Sequence, residues 1–309
     1  MPITIGIPFY NAERFLPDAI RSAFAQKYKD WELILVDDGS TDRSLEIARS
    51  VKDERVRVLS DGRNIRLMNR LNQITAESAY DLVARMDADD IMHPQRLEMQ
   101  LRCFDNPDVQ VVSTAYCTIN DSNEIKSVRN IGVAQDVSPA GILGYKHRLC
   151  HPSLLVRTRW LRRNPYHTDY KSAEDLELFL RTSINGELTN MKASLVPHPL
   201  LFYREDRSQN YSKTAFANVY INRAIRTHCR NLPFYRYFAG KTKWALRNNA
   251  YWIMSTLGVL PWFKQLRETK AKTLPNYQEL VSALQTVLQT PVPGMDEFLK
   301  KMNHLLINT

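Results

Sequence analysis

Four short apolar segments, Ile3–Ile7, Glu32–Val36, Val56–Leu59 and Leu82–Met86, alternate with stretches of helical periodicity, and this alternation constrains the fold most. Their β-branched and aliphatic content reads as strands, the first ending at Pro8. Between them, Asn11 is placed to cap a helix from about Ala12 to Gln26, with Phe15, Ala19, Ile20, Ala23 and Phe24 on its apolar side. Further helices are expected from Ser40 or Thr41 through Ser50, from about Arg66 to Ala79, and from Pro94 to about Phe104. Val109 to Thr114 reads as a fifth strand. A β-α-β-α order predicts an α/β fold: a mostly parallel sheet with helices on both faces.

Ligands of such sheets bind beyond the carboxyl ends of the strands. Three polar clusters fall there: Pro8-Phe9-Tyr10-Asn11, Asp37-Asp38-Gly39-Ser40 and Asp87-Ala88-Asp89-Asp90. The third places three carboxylates at the end of a buried strand, where unpaired charge is costly. Hard oxygen ligands gathered in this way suit Mg²⁺ or Mn²⁺, and such ions commonly bridge to substrate phosphates. One cluster alone would pass for a solvated loop; three on one edge define a site. Neither GxGxxG nor GxxxxGK[ST] occurs, which argues against a dinucleotide fingerprint or a P-loop.

At 309 residues and 44% apolar content the chain can bury a sizeable core. Its four cysteines lack metal-ligand spacing and read as reduced thiols of a cytosolic protein. Met1-Pro2-Ile3-Thr4-Ile5 lacks the pattern of a signal peptide, and no apolar run is long enough to span a bilayer. Charge is divided unevenly. Residues 1–206 carry 27 Lys+Arg against 29 Asp+Glu, whereas 207–309 carry 15 against 4. From Arg207 to Arg267 basic residues are interleaved with Tyr211, Tyr220, Tyr235, Tyr237, Trp244, Trp252 and Trp262, and Lys241 to Trp252 reads as an amphipathic helix. That pattern suits an anionic membrane surface, so a cytoplasmic protein held at the inner face of the membrane is expected. Nucleic-acid binding is disfavoured by the acidic first part and by the lack of an RRM, KH or helix-turn-helix signature. The tail from Pro275 looks helical, with Leu280, Leu284, Val287 and Leu288 at helical spacing, and would dock or dimerise.

Taken in order, Pro8-Phe9-Tyr10-Asn11-Ala12-Glu13, Val36-Asp37-Asp38-Gly39-Ser40-Thr41-Asp42, Ala84-Arg85-Met86-Asp87-Ala88-Asp89-Asp90 and Ala173-Glu174-Asp175-Leu176-Glu177-Leu178 form one pattern. With Tyr203-Arg204 after them, the chain resembles the family 2 glycosyltransferases of GT-A fold over roughly residues 1–210. The resemblance implies a catalytic domain at 1–210 followed by a basic, aromatic-rich helical region at 211–309. It also implies inverting transfer of a sugar from a nucleotide donor, most often a UDP-sugar, to a hydroxyl of a saccharide or polyprenyl-diphosphate-linked acceptor in surface polysaccharide synthesis. By position, Pro8 and Tyr10 would flank the uracil and Asp38 would bond its edge. Arg66 would be a further nucleotide contact, Asp87 would lie near the ribose, and Glu13 and Ala88 belong to the same nucleotide-binding set. Asp89 would ligate the Mn²⁺ or Mg²⁺, Asp175 would be the base, and Asp90 a helix cap or supporting residue. Two departures stand out: Asn64-Ile65 replaces an Asn-x-Gly, and Glu205-Asp206 stands where many members carry a histidine, leaving His151 or His198 to supply any histidine ligand. A sugar-nucleotidyltransferase and a membrane-surface module with a decayed site are the rival readings; the first would carry a Gly-rich basic loop after the first strand.

Overall fold

The computed structural model describes residues 1–131, 134–205, 211–229, 242, 245–246, 249–250, 253–254, 256–257, 259, 269–270, 273 and 276–307. Strands β1 (Ile3–Phe9), β2 (Trp31–Asp37), β3 (Val56–Leu59) and β4 (Leu82–Arg85) lie in the order β4-β1-β2-β3, and every pair is parallel. Helices α1 (Leu16–Phe24), α2 (Ser44–Ser50) and α3 (Leu67–Glu77) make the crossovers. Beyond β4 come β5 (Ile91–Met92), α4 (Arg96–Leu101), β6 (Val111–Ile119), β7 (Ile125–Arg129), α5 (Pro139–Leu143), β8 (Leu155–Arg157), α6 (Thr158–Arg163), α7 (Glu174–Ile184) and β9 (Ala193–Arg204). Here the sheet becomes mixed. β8 runs antiparallel to both β4 and β6, β7 is antiparallel to β6, and β9 runs parallel to β6. The short connection at 120–124 closes β6 and β7 as a hairpin, which only antiparallel strands allow.

Alternation along the strands divides the core into two layers. Ile3, Ile5, Ile7, Leu33, Leu35, Leu82 and Ala84 face α1, α2 and α4. Ile34, Val36, Val83 and Val111 face α3, α6 and α7. Gly6 marks a close approach of β1 to α3, since a Cβ there would lie 2.4 Å from Ile74 Cγ2. Pro8 continues β1 one turn of the pleat past its expected end. The β1–β4 pairing stops at Gly6 and Arg85, so the missing Pro8 N–H falls beyond the end of β4 and no ladder bond is lost.

The chain continues through α8 (Tyr211–His228), β10 (Thr269–Lys270), α9 (Tyr277–Gln289) and α10 (Met295–Ile307). The tail docks. Leu280, Leu284 and Val287 pack with Ile91, Cys117 and Phe202, while Val292 and Met295 join the core that holds Ile3. Lys52 N–H donates to Pro293 O at 2.9 Å, and Arg21 pairs with Asp296 at 2.5 Å. Gly294, at φ +77°, lets the backbone pass Ser50 O, which a Cβ would meet at 2.2 Å. The amphipathic helix read at Lys241–Trp252 and the aromatic side chains of Tyr235, Tyr237, Trp244, Trp252 and Trp262 lie largely or wholly outside the described residues. Among the described residues no helix is long and apolar enough to cross a membrane.

Candidate active site

Register brings the predicted clusters together. Phe9 stands opposite Asp37 and Gly6 opposite Arg85, so the chain leaves β1, β2 and β4 at one edge of the sheet. The first two loops are then laced to each other. Asn11, at φ +48°, accepts from Thr41 N–H at 2.8 Å through Oδ1, and its own N–H donates to Ser40 Oγ at 3.1 Å. Glu13 N–H donates to Asp42 Oδ2 and Arg43 N–H donates to Glu13 Oε2, both at 3.0 Å. Asn11 therefore caps no helix: α1 starts at Leu16, because Asn11 is spent tying the β1 loop to the β2 loop. Glu13 serves the same lacing. Tyr10 stands at the mouth, 50% exposed, while the side chains of Pro8 and Ala88 are buried, so Ala88 offers a ligand only its backbone.

Asp38 sits beneath a third loop. Its carboxylate accepts from Ile65 N–H at 2.8 Å, from Arg66 N–H at 3.1 Å and from Arg70 Nε at 3.0 Å. Arg70 also donates to Asp61 Oδ1 and Arg63 O, each at 2.6 Å, so a single guanidinium organises residues 61–66. Gly39, at φ +76°, is pressed against this loop, with a Cβ reaching 2.8 Å from the Arg63 carbonyl carbon. Arg66 closes the loop at φ +76°, a left-handed conformation uncommon outside glycine, with its residue exposed at the start of α3.

The acidic cluster lies beyond β4. Carboxylate oxygens of Asp87, Asp89 and Asp90 fall within 4.8 Å of one another. Burial and the Asp87 charge push Asp89 up to about 6. Asp90 is 0% exposed, and burial with the two neighbouring carboxylates raises it well above the usual range. Its Oδ1 accepts from Arg204 N–H at 2.8 Å, whereas its buried Oδ2 has no partner. Three mutually repelling carboxylates, one with an orphaned buried oxygen, fit a hard divalent cation. Asp90 is thus a supporting residue and not a helix cap, since α4 begins only after Gln95.

Two arginines that lie within the matched motifs but were given no role from sequence hold this loop. Arg85, buried at the end of β4, donates to both oxygens of Asp87 at 3.0 and 2.5 Å. Arg204 donates to Asp89 O at 2.9 Å and stacks over the Phe15 ring at 4.1 Å. Arg204 belongs to the matched Tyr203-Arg204 pair, but its contact to residue 89 needs β9 beside β5.

Glu174 and Asp175 open α7. Ala173, at φ +57°, turns the chain so that both carboxyls enter a half-buried setting. Burial and Asp175 push Glu174 up to about 7, and burial raises Asp175 as well. Asp87 adds to both shifts through space and Arg85 opposes them, which places the helix start within electrostatic reach of the acidic loop. His151 is buried, bonded through Nε2 to Tyr166 Oη at 2.8 Å and 4.0 Å from Glu174. Neither it nor the exposed His198 belongs to the acidic cluster.

A mixed sheet whose parallel half carries laced loops and an acidic cluster at its carboxyl edge, with a carboxyl pair at the start of α7 in electrostatic reach of that cluster, defines a glycosyltransferase of GT-A type. The family model for glycosyl transferase family 2 matches residues 4–169, and the chain belongs to that family. It is 28% identical over 222 residues to the O-antigen biosynthesis glycosyltransferase WbnJ of Escherichia coli, covering 69% of this chain and 84% of WbnJ. It is 31% identical over 186 residues to the glycosyltransferase EpsE of Bacillus subtilis, covering 58% of this chain and 66% of EpsE. Among solved structures, S. aureus TarS 1–349 in complex with UDP-GlcNAc superposes with a TM-score of 0.58 at 17% identity, covering 94% of this chain and 82% of that one. The mannosyltransferase PcManGT from Pyrobaculum calidifontis, with GDP-Man and Mn²⁺, gives 0.56 at 13% identity over 93% and 84%. The GT-A fold is therefore as expected from sequence, with the sheet mixed beyond β4 where a mostly parallel one was expected.

Proposed function

We propose that this chain transfers a sugar, with inversion, from a UDP-sugar to a hydroxyl of a saccharide or polyprenyl-diphosphate-linked acceptor in surface polysaccharide synthesis. One observation carries the reading: the Asp87-Asp89-Asp90 cluster and the raised carboxyl pair Glu174-Asp175 both lie within electrostatic reach of the buried Arg85, which is bonded to Asp87. A leaving diphosphate and a nucleophile that must lose a proton need those two kinds of site.

Asp89, with Asp87 and Asp90, would hold Mn²⁺ or Mg²⁺, which supplies positive charge opposite the departing diphosphate. The half-exposed Tyr10 ring offers a stacking face for the base at the mouth. Asp38, already holding Arg66 and Arg70, keeps the nucleotide loop in place and presents its remaining lone pairs to the base edge. Asp175 accepts the proton of the acceptor hydroxyl as the oxygen attacks the anomeric carbon, and its affinity for a proton, raised by burial, suits that task. Glu174 stands beside it as an electrostatic partner. The donor of TarS in its complex, UDP-GlcNAc, supports a UDP-sugar, while GDP-Man in PcManGT is the alternative base.

The catalytic part ends near residue 210 in this reading, and the basic stretch that follows it, ahead of the docked tail, meets the membrane. Leu246 and Leu257 are 65% and 68% exposed, and Phe216 and Val219 on α8 are also exposed. Apolar side chains within a basic stretch suit an anionic lipid surface. A screen of nucleotide-sugars for Mn²⁺-dependent hydrolysis without acceptor tests the donor: UDP-sugar turnover is expected, and turnover of GDP-sugars alone overturns it. Liposome flotation with and without anionic lipid tests the membrane reading.

A further inference from the structure

A second group of ligand-type side chains, separate from the acidic loop, gathers at α7. His167 comes from the loop before α7, Glu177 from α7 itself, and His228 is the last residue of α8. We propose that His167, Glu177 and His228 form a second metal site, for a Zn²⁺-class ion, that staples α8 to the helix carrying Asp175.

The spacing supports a metal. Glu177 Oε1 is 3.3 Å from His167 Nδ1 and 2.9 Å from His228 Nε2, and all three ligand atoms lie within 4.8 Å of one another. Bonds of about 2.0–2.1 Å in a tetrahedral zinc site require ligand atoms roughly 3.3 Å apart. The ligand set also differs in kind from the acidic loop. Two imidazoles and one carboxylate suit Zn²⁺, with a fourth position open to water, whereas three carboxylates suit Mg²⁺ or Mn²⁺.

Pairwise hydrogen bonding does not account for the arrangement. His228 Nε2 is buried and, although 2.9 Å from the carboxylate, makes no hydrogen bond of acceptable geometry. Glu177 is 0% exposed, so its charge must be met from within the protein. Arg181, one turn on, donates to Oε1 at 2.7 Å and orients the carboxylate in the way outer-shell partners orient metal ligands. Around the group α8 is already seated. Ile221, Ala224 and Ile225 pack into the core that holds α7, and Arg223 pairs with Asp169 at 3.1 Å. An ion at the end of α8 would fix the point from which the basic region departs.

The test uses the untagged full chain, stripped with chelator and titrated with Zn²⁺, and with Co²⁺ as a spectroscopic probe. Asp89→Asn removes the acidic-loop site from the count. In that background one Zn²⁺ per chain is expected, with a Co²⁺ visible spectrum of nitrogen-ligated tetrahedral type. His228→Gln should weaken Zn²⁺ binding more than about tenfold and abolish the Zn²⁺-induced rise in melting temperature. Should that variant fail to fold, His167→Ala, at a half-exposed ring, gives the same reading. Zn²⁺ affinity unchanged by either histidine substitution, or absent once Asp89 is replaced, overturns the proposal and leaves the three groups as an ion-pair clasp.

Discussion

Arg70, 1% exposed, donates from Nε to Asp38 Oδ1 at 3.0 Å, and through this pair α3 holds the loop that carries Arg66. Removing one partner of a buried pair leaves the other uncompensated, a loss of about 3–5 kcal/mol. Arg70→Met should therefore destabilise by about 3 kcal/mol in urea unfolding, since Asp61 is partly solvated and retains water. UDP affinity should fall in parallel, measured by titration, because both Asp38 and residues 61–66 lose their anchor. Unchanged UDP binding would detach this loop from the nucleotide.

Asp89 and Asp90 should contribute to the cation site to different extents. Asn at 89 removes the charge at the mouth and should cut Mn²⁺-dependent UDP binding more than about tenfold. Asn at 90 keeps an acceptor for Arg204 N–H, so the loop stays folded while cation affinity falls. Mn²⁺ titration monitored by UDP binding ranks the two. If Asp90→Asn matches wild type, its orphaned Oδ2 is no ligand.

The parts of this site that could be read from sequence are those set by local pattern. Parallel strands β1 to β4 declare themselves through β-branched runs, and the acidic clusters follow at their ends. What stayed hidden depends on distant pairing. Arg85 reaches forward only two residues, yet its role needs α7 opposite, and Arg204 reaches Asp89 only because β9 lies beside β5. Asn11 and Ser40 carry the residue types of helix caps, but the two loops compete for those side chains and tie to each other instead. β7 is broken by Lys126 and ends in Arg129, so it forms no apolar run, and β8 spans three residues, so the antiparallel half of the sheet was not foreseen.

Cation binding should stabilise the protein in a pH-dependent way. Burial and Asp87 raise Asp89 to about 6 from an ordinary 3.8, so the folded state holds that proton more tightly than the unfolded chain. The resulting stability is fully present below the ordinary value and is lost as pH rises through about 6. A divalent cation replaces the lost proton. The Mn²⁺-induced rise in melting temperature should thus be small near about pH 5 and large near about pH 7.5, as scanning fluorimetry would show. An equal rise at both values would place the cation elsewhere.

Glu174 and Asp175 can be told apart by where the acid limb of turnover falls. Asp175→Asn removes the proton acceptor and should lower kcat by about 10²–10⁴-fold with donor affinity retained. Glu174→Gln leaves Asp175 in place and stands in for the protonated Glu174 that burial and Asp175 favour, the carboxyl being pushed up to about 7. Asp175 keeps the surroundings that raise it, burial first and Asp87 after it. The acid limb of kcat at saturating Mn²⁺ should accordingly stay in place in Glu174→Gln, with a plateau rate within an order of magnitude of wild type. A limb that moves, or a plateau that collapses, in this variant would make Glu174 the base.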